Sequence, residues 1–132
     1  MAKTKVQSSE MADTITQWLT EYSDEVTNVS KEVVQEVSEG AMAETKAHIT
    51  WNDKKYSNSF ALKTTFEDKR NKRNTWYVKS PHYRLTHLLE FGHYTTNGTT
   101  RTRAFPHVKY GDDFVKENLE RKLKEAIESC RI

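Results

Sequence analysis

The sequence predicts an α+β fold in which a long N-terminal helix and a C-terminal helix pack on a small, mainly antiparallel sheet, with a short central helix. The observations behind this prediction are an apolar stripe at helical spacing near the start, alternating segments in the middle, and a second helical stripe at the end. At 132 residues the chain suffices for one domain with a modest core. We expect a flexible N-terminus at 1–8 and a single domain at 9–132.

The first predicted helix follows a polar start. From Met11 to Val37, apolar side chains recur every three or four residues, which places them on one face of a helix. The pattern continues toward Ala47, with Gly40 as a possible kink or break. We therefore expect either one helix of about 35 residues or two helices in tandem, held in place by packing because valine is a weak helix former.

Two segments in the middle alternate between apolar and polar residues, as strands with one covered face do. They are YSNSFALKTTFED at 56–68 and NTWYVKS at 74–80. Between them, DKRNKRN is the predicted tip of a hairpin, which would place four positive charges on a mobile loop. The residues expected to face the core are Phe60, Leu62, Thr64, Phe66, Trp76 and Val78.

The short central helix is predicted from SPHYRLTHLLEFG at 80–92. Ser80 is a suitable cap, Pro81 fits the first helical position, and Gly92 suits a left-handed residue after the last turn. The buried side would be formed by Leu85, Leu88 and Leu89.

The last third contains a polar turn and a second long helix. Asn97 and Gly98 mark the turn, and the segment RAFPHVKY should be extended because Pro106 disfavours helix before it. We expect the last helix to start at Gly111 with Asp112 and Asp113. Its apolar stripe consists of Val115, Leu119, Leu123 and Ile127.

The formal net charge of +2 conceals an asymmetry along the chain. Residues 1–50 carry four basic and nine acidic side chains, residues 51–110 carry twelve and four, and residues 111–132 carry five and six. An acidic first part beside a basic middle would steer subunits toward each other or attract an acidic partner such as DNA. An unevenly decorated, solvated surface explains the asymmetry equally well.

Features that the sequence lacks limit the cellular compartment and the catalytic chemistry that we expect. Cys130 is the one cysteine, so no intramolecular disulfide can form. We find no apolar run long enough to cross a bilayer and no signal peptide. We therefore expect the protein to act in a cytosol, or in an assembly that forms there. No G-x-S-x-G elbow or glycine-rich phosphate loop is present, so the sequence gives little support for an enzyme.

The stretch HLLEFGH at 87–93 is the part that most resembles a site. His87 and Glu90 share a helix face, but Gly92 should end the helix before His93, and the spacing is neither H-E-x-x-H nor H-x-x-E-H. Two other histidines, His82 and His107, would complete a metal site only if the fold brought them there. A metal-dependent hydrolase is therefore a remote alternative, and we expect no metal and no cofactor.

Taken together, VKSPHYRLTHLLEFGH at 78–93, a polar loop and RAFPHVKYGDD at 103–113 resemble the neck or tail-completion proteins of long-tailed double-stranded DNA phages, a family of head-tail joining and minor tail proteins. The order of elements matches from about residue 8 onward. Two departures are a missing glycine in YSNSFAL and the segment VKYGDD, where many members have further prolines. The matching positions are Tyr83, His87, Leu88, Leu89, Glu90, Phe91, Gly92, His93, Pro106 and His107.

The resemblance implies an α+β fold without catalysis and a structural role in the virion, at the head-tail interface, after synthesis in the bacterial host cytoplasm. The implied partners are copies of the chain in a ring, other head-tail connector proteins and tail-tube proteins, with no membrane. Under this interpretation Gly92 serves backbone geometry and Leu88, Leu89 and Phe91 serve packing. Glu90 and His93 would hydrogen-bond across a turn or a subunit boundary.

The main alternative is a small nucleic-acid-binding protein that uses the basic loop at 69–73. In a connector subunit the same loop would face either DNA in the channel or an acidic partner protein. The residues expected to make such contacts are Lys69, Arg70, Lys72, Arg73, Arg101 and Arg103.

Overall fold

A computed structural model of the protein describes residues 10–49, 54–95 and 97–130, and the predicted flexible N-terminus at 1–8 lies outside this part. It has the predicted α+β arrangement, with two long helices, a two-stranded antiparallel sheet and a short central helix. The elements are α1 (Met11–Ala47), α2 (Lys54–Asn58), β1 (Phe60–Glu67), β2 (Lys72–Val78), a 3₁₀ turn (His82–Leu85), α3 (Thr86–Phe91) and α4 (Val108–Glu128).

The first helix is one continuous helix of 37 residues, so the alternative of two tandem helices is wrong. Gly40 lies inside it and serves close packing. A β-carbon at Gly40 would lie 2.5 Å from the ring of Phe114 in α4. Where α1 faces α4 and the hairpin, Val33 and Val37 are buried.

The last helix runs antiparallel to α1 and begins at Val108, three residues before the predicted start. Gly111 is buried in its first turn, where a β-carbon would overlap Oγ1 of Thr45 and lie 2.9 Å from the carbonyl oxygen of Ala41. The glycine is therefore needed for the approach of two helices and does not mark a helix start. The early start has a separate cause, because the carboxylate of Glu90 in α3 caps the first turn of α4.

The hairpin pairs Phe60 with Val78 and Leu62 with Trp76, so these four side chains share one face, as the alternation predicted. The segment 56–59, expected to be strand, instead belongs to α2 and the turn after it. A bulge between Thr64 and Phe66 inserts one extra residue into β1. Because an insertion of one residue reverses the alternation of side chains, Phe66 pairs with Arg73 and points to the solvent side, contrary to its predicted place in the core.

The inner face of the hairpin packs on α1 and on the short elements around it. Asn74 donates hydrogen bonds from Nδ2 to Gln35 and Ser38 of α1, at 2.9 and 3.2 Å. The centre of the core is formed by Tyr56, Phe60 and Val78. Partly buried side chains packed against them are Met42, Ile49, Trp76, Leu85 and Leu89.

The segment between the hairpin and α3 differs from its prediction. The Ser80–Pro81 peptide bond is cis, and the backbone N–H of His82 donates to the carbonyl oxygen of Lys79 at 3.0 Å. Ser80 therefore lies in a turn and caps no helix, since the 3₁₀ turn begins at His82 and α3 only at Thr86. None of the helices in the described part of the chain has the length and apolarity that a bilayer crossing requires.

Candidate functional site

The carboxylate of Glu90, in the middle of HLLEFGH, caps the N-terminus of α4. Its Oε1 accepts hydrogen bonds from the backbone N–H groups of His107 and Val108, each at 2.8 Å, and Oε2 accepts one from Lys109 at 3.2 Å. The first N–H groups of a helix have no partner within the helix, and the helix dipole favours a negative charge there. Glu90 therefore fixes where α4 begins, although it lies seventeen residues before His107.

His107 connects this cap to the core. Its side chain is fully buried, with Nδ1 2.9 Å from the carbonyl oxygen of Phe105 and 3.1 Å from Oε1 of Glu90. Since Nδ1 faces two acceptor oxygens, it carries a proton. Nε2 lies 2.7 Å from the hydroxyl oxygen of Tyr56, which in turn lies 3.2 Å from Oγ1 of Thr86.

Tyr56, His107 and Glu90, here called the buried triad, place a hydroxyl, an imidazole and a carboxylate in series. In an enzyme the imidazole of such a series takes the proton of the hydroxyl, which thereby becomes a nucleophile toward a bound substrate. Here Tyr56 and His107 have no solvent exposure, and both carboxylate oxygens of Glu90 accept backbone N–H groups. The arrangement therefore holds α2, α3 and α4 together and presents no nucleophile to solvent.

Gly92 ends α3 and brings the following loop back toward it. Its φ is +73°, and a β-carbon would lie 2.6 Å from the carbonyl oxygen of Thr102. Across the same turn, His93 Nδ1 lies 3.1 Å from Oγ1 of Thr102, and the backbone of Thr102 donates to the carbonyl oxygen of His93 at 2.7 Å. Phe105 then donates its N–H to the carbonyl oxygen of Leu89 at 2.6 Å, which aligns α3 with the start of α4.

Several residues of the family-like motif are exposed. Phe91, expected to pack, is 71% exposed, because Glu90 beside it takes the inward position on the short helix α3. Tyr83, His87, His93 and Pro106 are also exposed or partly so, whereas Leu88 and Leu89 are half-buried. An open groove of about 650 Å³ lies between α3 and α4, with His87, Phe91, Pro106 and Lys109 on its walls.

The basic hairpin tip contacts α1 through the side chain of Arg70. Arg70 donates from Nη1 to the hydroxyl oxygens of Ser23 and Thr27, at 2.8 and 2.9 Å. Its Nη2 lies 3.1 Å from Oδ1 of Asp24. Within the turn, hydrogen bonds from the Asn71 side chain and the Arg70 backbone hold the pKa of the Asp68 carboxyl below its ordinary value. The acidic and basic regions of the sequence thus meet within the chain at this point.

The remaining predicted contact residues also have partners in the chain. Lys72 lies 4.0 Å from Glu67, and the guanidinium of Arg73 lies 6.0 Å from the ring centre of Phe66. Lys69 is 3.9 Å from Asp24 and largely exposed. Arg101 stacks on Tyr94 and donates to the carbonyl oxygens of Phe91 and Gly92, and Arg103 lies over Phe105. Four of the six lie on the hairpin and two on the loop that follows α3.

The N-terminal arm, defined as Met11–Tyr22, is the part of α1 that precedes Ser23, where the hairpin tip bonds to α1. The hairpin tip reaches α1 at Ser23 to Thr27. After the end of α4, Cys130 lies near Glu25, and burial together with this carboxylate raises the pKa of its thiol. In the arm, Met11, Ile15 and Leu19 form one row and are 51%, 44% and 56% exposed. These three side chains form an exposed apolar row along one face of the helix.

Tyr56 was missed by sequence reasoning because its segment was assigned to a strand, where it would not have reached His107. No clear signal marks it, because α2 has only five residues and is too short to show a helical period. Within residues 10–49, 54–95 and 97–130, no group of three or more His, Cys, Asp or Glu side chains is arranged to hold a metal ion.

No protein-family model, curated protein or solved structure was found to match the chain.

Proposed function

We propose that this chain is a structural subunit of the head-tail connection of a long-tailed phage, where it assembles with copies of itself in a ring between the capsid connector and the tail tube. The phage context comes from the resemblance of residues 78–93 and 103–113 to neck and tail-completion proteins. The structural observation that carries an assembly role is the exposed apolar row of the N-terminal arm.

The energetics of the arm support an assembly role. Removing a Met, Ile or Leu side chain from water contributes about 1.5–3 kcal/mol when burial is complete. Met11, Ile15 and Leu19 are about half exposed, so roughly half of this contribution is still available to a partner from each of them. A contact of this size offsets part of the entropy lost on association, and repetition around a ring would add to it.

The buried triad supports a structural rather than a catalytic role. It uses three chemically capable side chains to hold helices together, with both nitrogens of His107 engaged inside the protein. A subunit that must transmit force between a capsid and a tail needs such fixed connections between its elements.

A nucleic-acid-binding function has less support, because the hairpin tip on which it depends already contacts α1. Arg70 is bound to Ser23, Asp24 and Thr27, and Lys72 lies beside Glu67. As a connector subunit the isolated protein should bind DNA weakly. Submicromolar binding with a steep salt dependence in a gel shift would favour the alternative.

The proposed function can be tested with a nonsense mutation at the codon for Tyr22 in the phage that encodes the chain. Electron microscopy of the lysate should show filled heads and free tails that are not joined. A plasmid that supplies the wild-type chain should restore joined particles. Normal joined particles without the chain would contradict the proposal.

A further inference from the structure

The outer face of the hairpin is a second exposed surface with mixed apolar and basic character. The side chains that point away from α1 belong to Ala61, Lys63, Thr65, Phe66, Arg73, Thr75 and Tyr77. Phe66 and Tyr77 are 47% and 40% exposed, and Phe66 is on this face only because of the bulge in β1. The face thus offers two aromatic rings and two cations, and none of the seven residues is acidic.

The N-terminal arm is complementary to this face in charge. Between residues 10 and 30 the sequence has no lysine or arginine. The charged residues of the arm are Asp13 and Glu21, and Glu10 directly precedes it, so all three charges are negative. An apolar row on an acidic helix matches aromatic rings with Lys63 and Arg73 beside them.

The arm and the face also match in length. The twelve residues of the arm extend over about 18 Å of helix, and the eight residues of β1 extend over about 27 Å. The arm can therefore lie along the hairpin without overhanging it.

The arm cannot reach the outer face of its own hairpin. It continues α1 without interruption, and α1 packs against the inner face of the same hairpin through Gln35 and Ser38. The hairpin that accepts the arm must therefore belong to another molecule.

We propose that the N-terminal arm of one copy docks on the outer hairpin face of the next copy. This inference rests on the proposed function and deepens it, because it names the two surfaces that join neighbouring subunits. Donor and acceptor surfaces differ, so the contact is head-to-tail and each copy keeps a free arm and a free face until a ring closes.

The test uses two full-length variants, each with one surface impaired. Leu19→Asp places a charge in the apolar row of the arm, and Tyr77→Asp places one on the outer face. Circular dichroism and thermal unfolding establish that each variant is folded, and Arg73→Glu replaces Tyr77→Asp should the latter not fold. Phe91→Asp, in the groove between α3 and α4, is the matched control, since it also adds a charge at an exposed aromatic residue.

Sedimentation velocity at protein concentrations up to about 1 mM measures self-association. The wild-type chain and Phe91→Asp should associate beyond dimers, and each surface variant alone should associate at least roughly tenfold more weakly. An equimolar mixture of Leu19→Asp and Tyr77→Asp should form dimers and stop there, because it contains one intact arm and one intact face per pair.

The inference would be overturned by a wild-type chain that stays monomeric throughout, by normal association of the outer-face variant, or by absence of dimers in the mixture. Equal weakening by Phe91→Asp would also overturn it, because that result would assign the groove as the acceptor. The proposed function is judged separately by the particle phenotype. Joined particles in a phage carrying Leu19→Asp and Tyr77→Asp, together with unjoined ones in the nonsense mutant, would refute the contact and leave the function intact.

Discussion

The two ends of α1 carry the same apolar spacing but differ in burial. Val33 and Val37 are buried against α4 and the hairpin, whereas Met11, Ile15 and Leu19 face solvent. The difference lies in their partners, because α4 ends near Glu25 and the hairpin tip ends near Ser23. A periodic stripe thus indicates that a helix face will be covered, and the lengths of the other elements decide whether the same chain covers it.

The largest loss of stability is expected for Gly111→Ala, at the contact between α1 and α4. The added β-carbon would meet Thr45 and the backbone of Ala41, so we expect a loss of about 3 kcal/mol in the free energy of unfolding. Urea unfolding followed by circular dichroism measures it. Thr16→Ala, on the exposed arm, is the control and should change stability little. A neutral or stabilising Gly111→Ala would show that α1 and α4 are not this close.

Glu90→Ala tests whether the capped start of α4 keeps that helix on α1. It leaves three backbone N–H groups of α4 without their acceptor, and we expect a loss of about 2–3 kcal/mol. Glu90→Gln should lose less, since one acceptor oxygen remains. Thermal unfolding distinguishes both from Glu120→Ala on the exposed side of α4. Equal stability of all three variants would argue against the capping role.

Matched truncations in the buried and exposed parts of α1 measure how much each part contributes to the free energy of unfolding. Val37→Ala should cost about 2 kcal/mol, because it removes buried methyl groups and leaves a cavity. Ile15→Ala should cost less than about 0.5 kcal/mol when measured in dilute, dissociated protein. A large loss at Ile15 in the monomer would mean that the arm packs on its own chain.

The smallest effect is expected at the boundary between the halves, where Asp24 holds Arg70. Both side chains are more than 40% exposed, so Asp24→Asn should cost less than about 1 kcal/mol, and the cost should shrink at high salt. Urea unfolding at two salt concentrations measures this. A salt-independent loss above about 2 kcal/mol would show that the pair is more shielded from water than its exposure indicates.

Local patterns predicted the elements well and their junctions less well. The stripe of α1, the alternation within each strand of the hairpin and the positive φ of Gly92 all depend on residues close in sequence. The start of α4 could not be predicted in this way, because its cap comes from Glu90 on a different helix. The contacts of Gly40 and Gly111 likewise depend on which helices lie side by side.

The candidate site shows the same limit. The sequence predicted a candidate site at HLLEFGH because of its histidines, but the buried imidazole belongs to His107. The hydroxyl partner of His107 is Tyr56, which lies 51 positions away in the sequence. Phe66 was assigned to the wrong face because a one-residue bulge leaves no clear mark in an alternating pattern. Both features arise from the packing of distant segments.

The loop between Tyr94 and Arg101 offers a practical use. These residues form a bridge, and a backbone hydrogen bond from Thr95 to Thr100 closes the loop just above it. Gly98 lies beyond this closure with open space around the position of a β-carbon. A short epitope or fluorophore acceptor peptide inserted after Gly98 would therefore emerge into solvent while the bridged base of the loop keeps α3 and α4 in place. Such a label would show whether the chain is present in the particles that the proposed function implies.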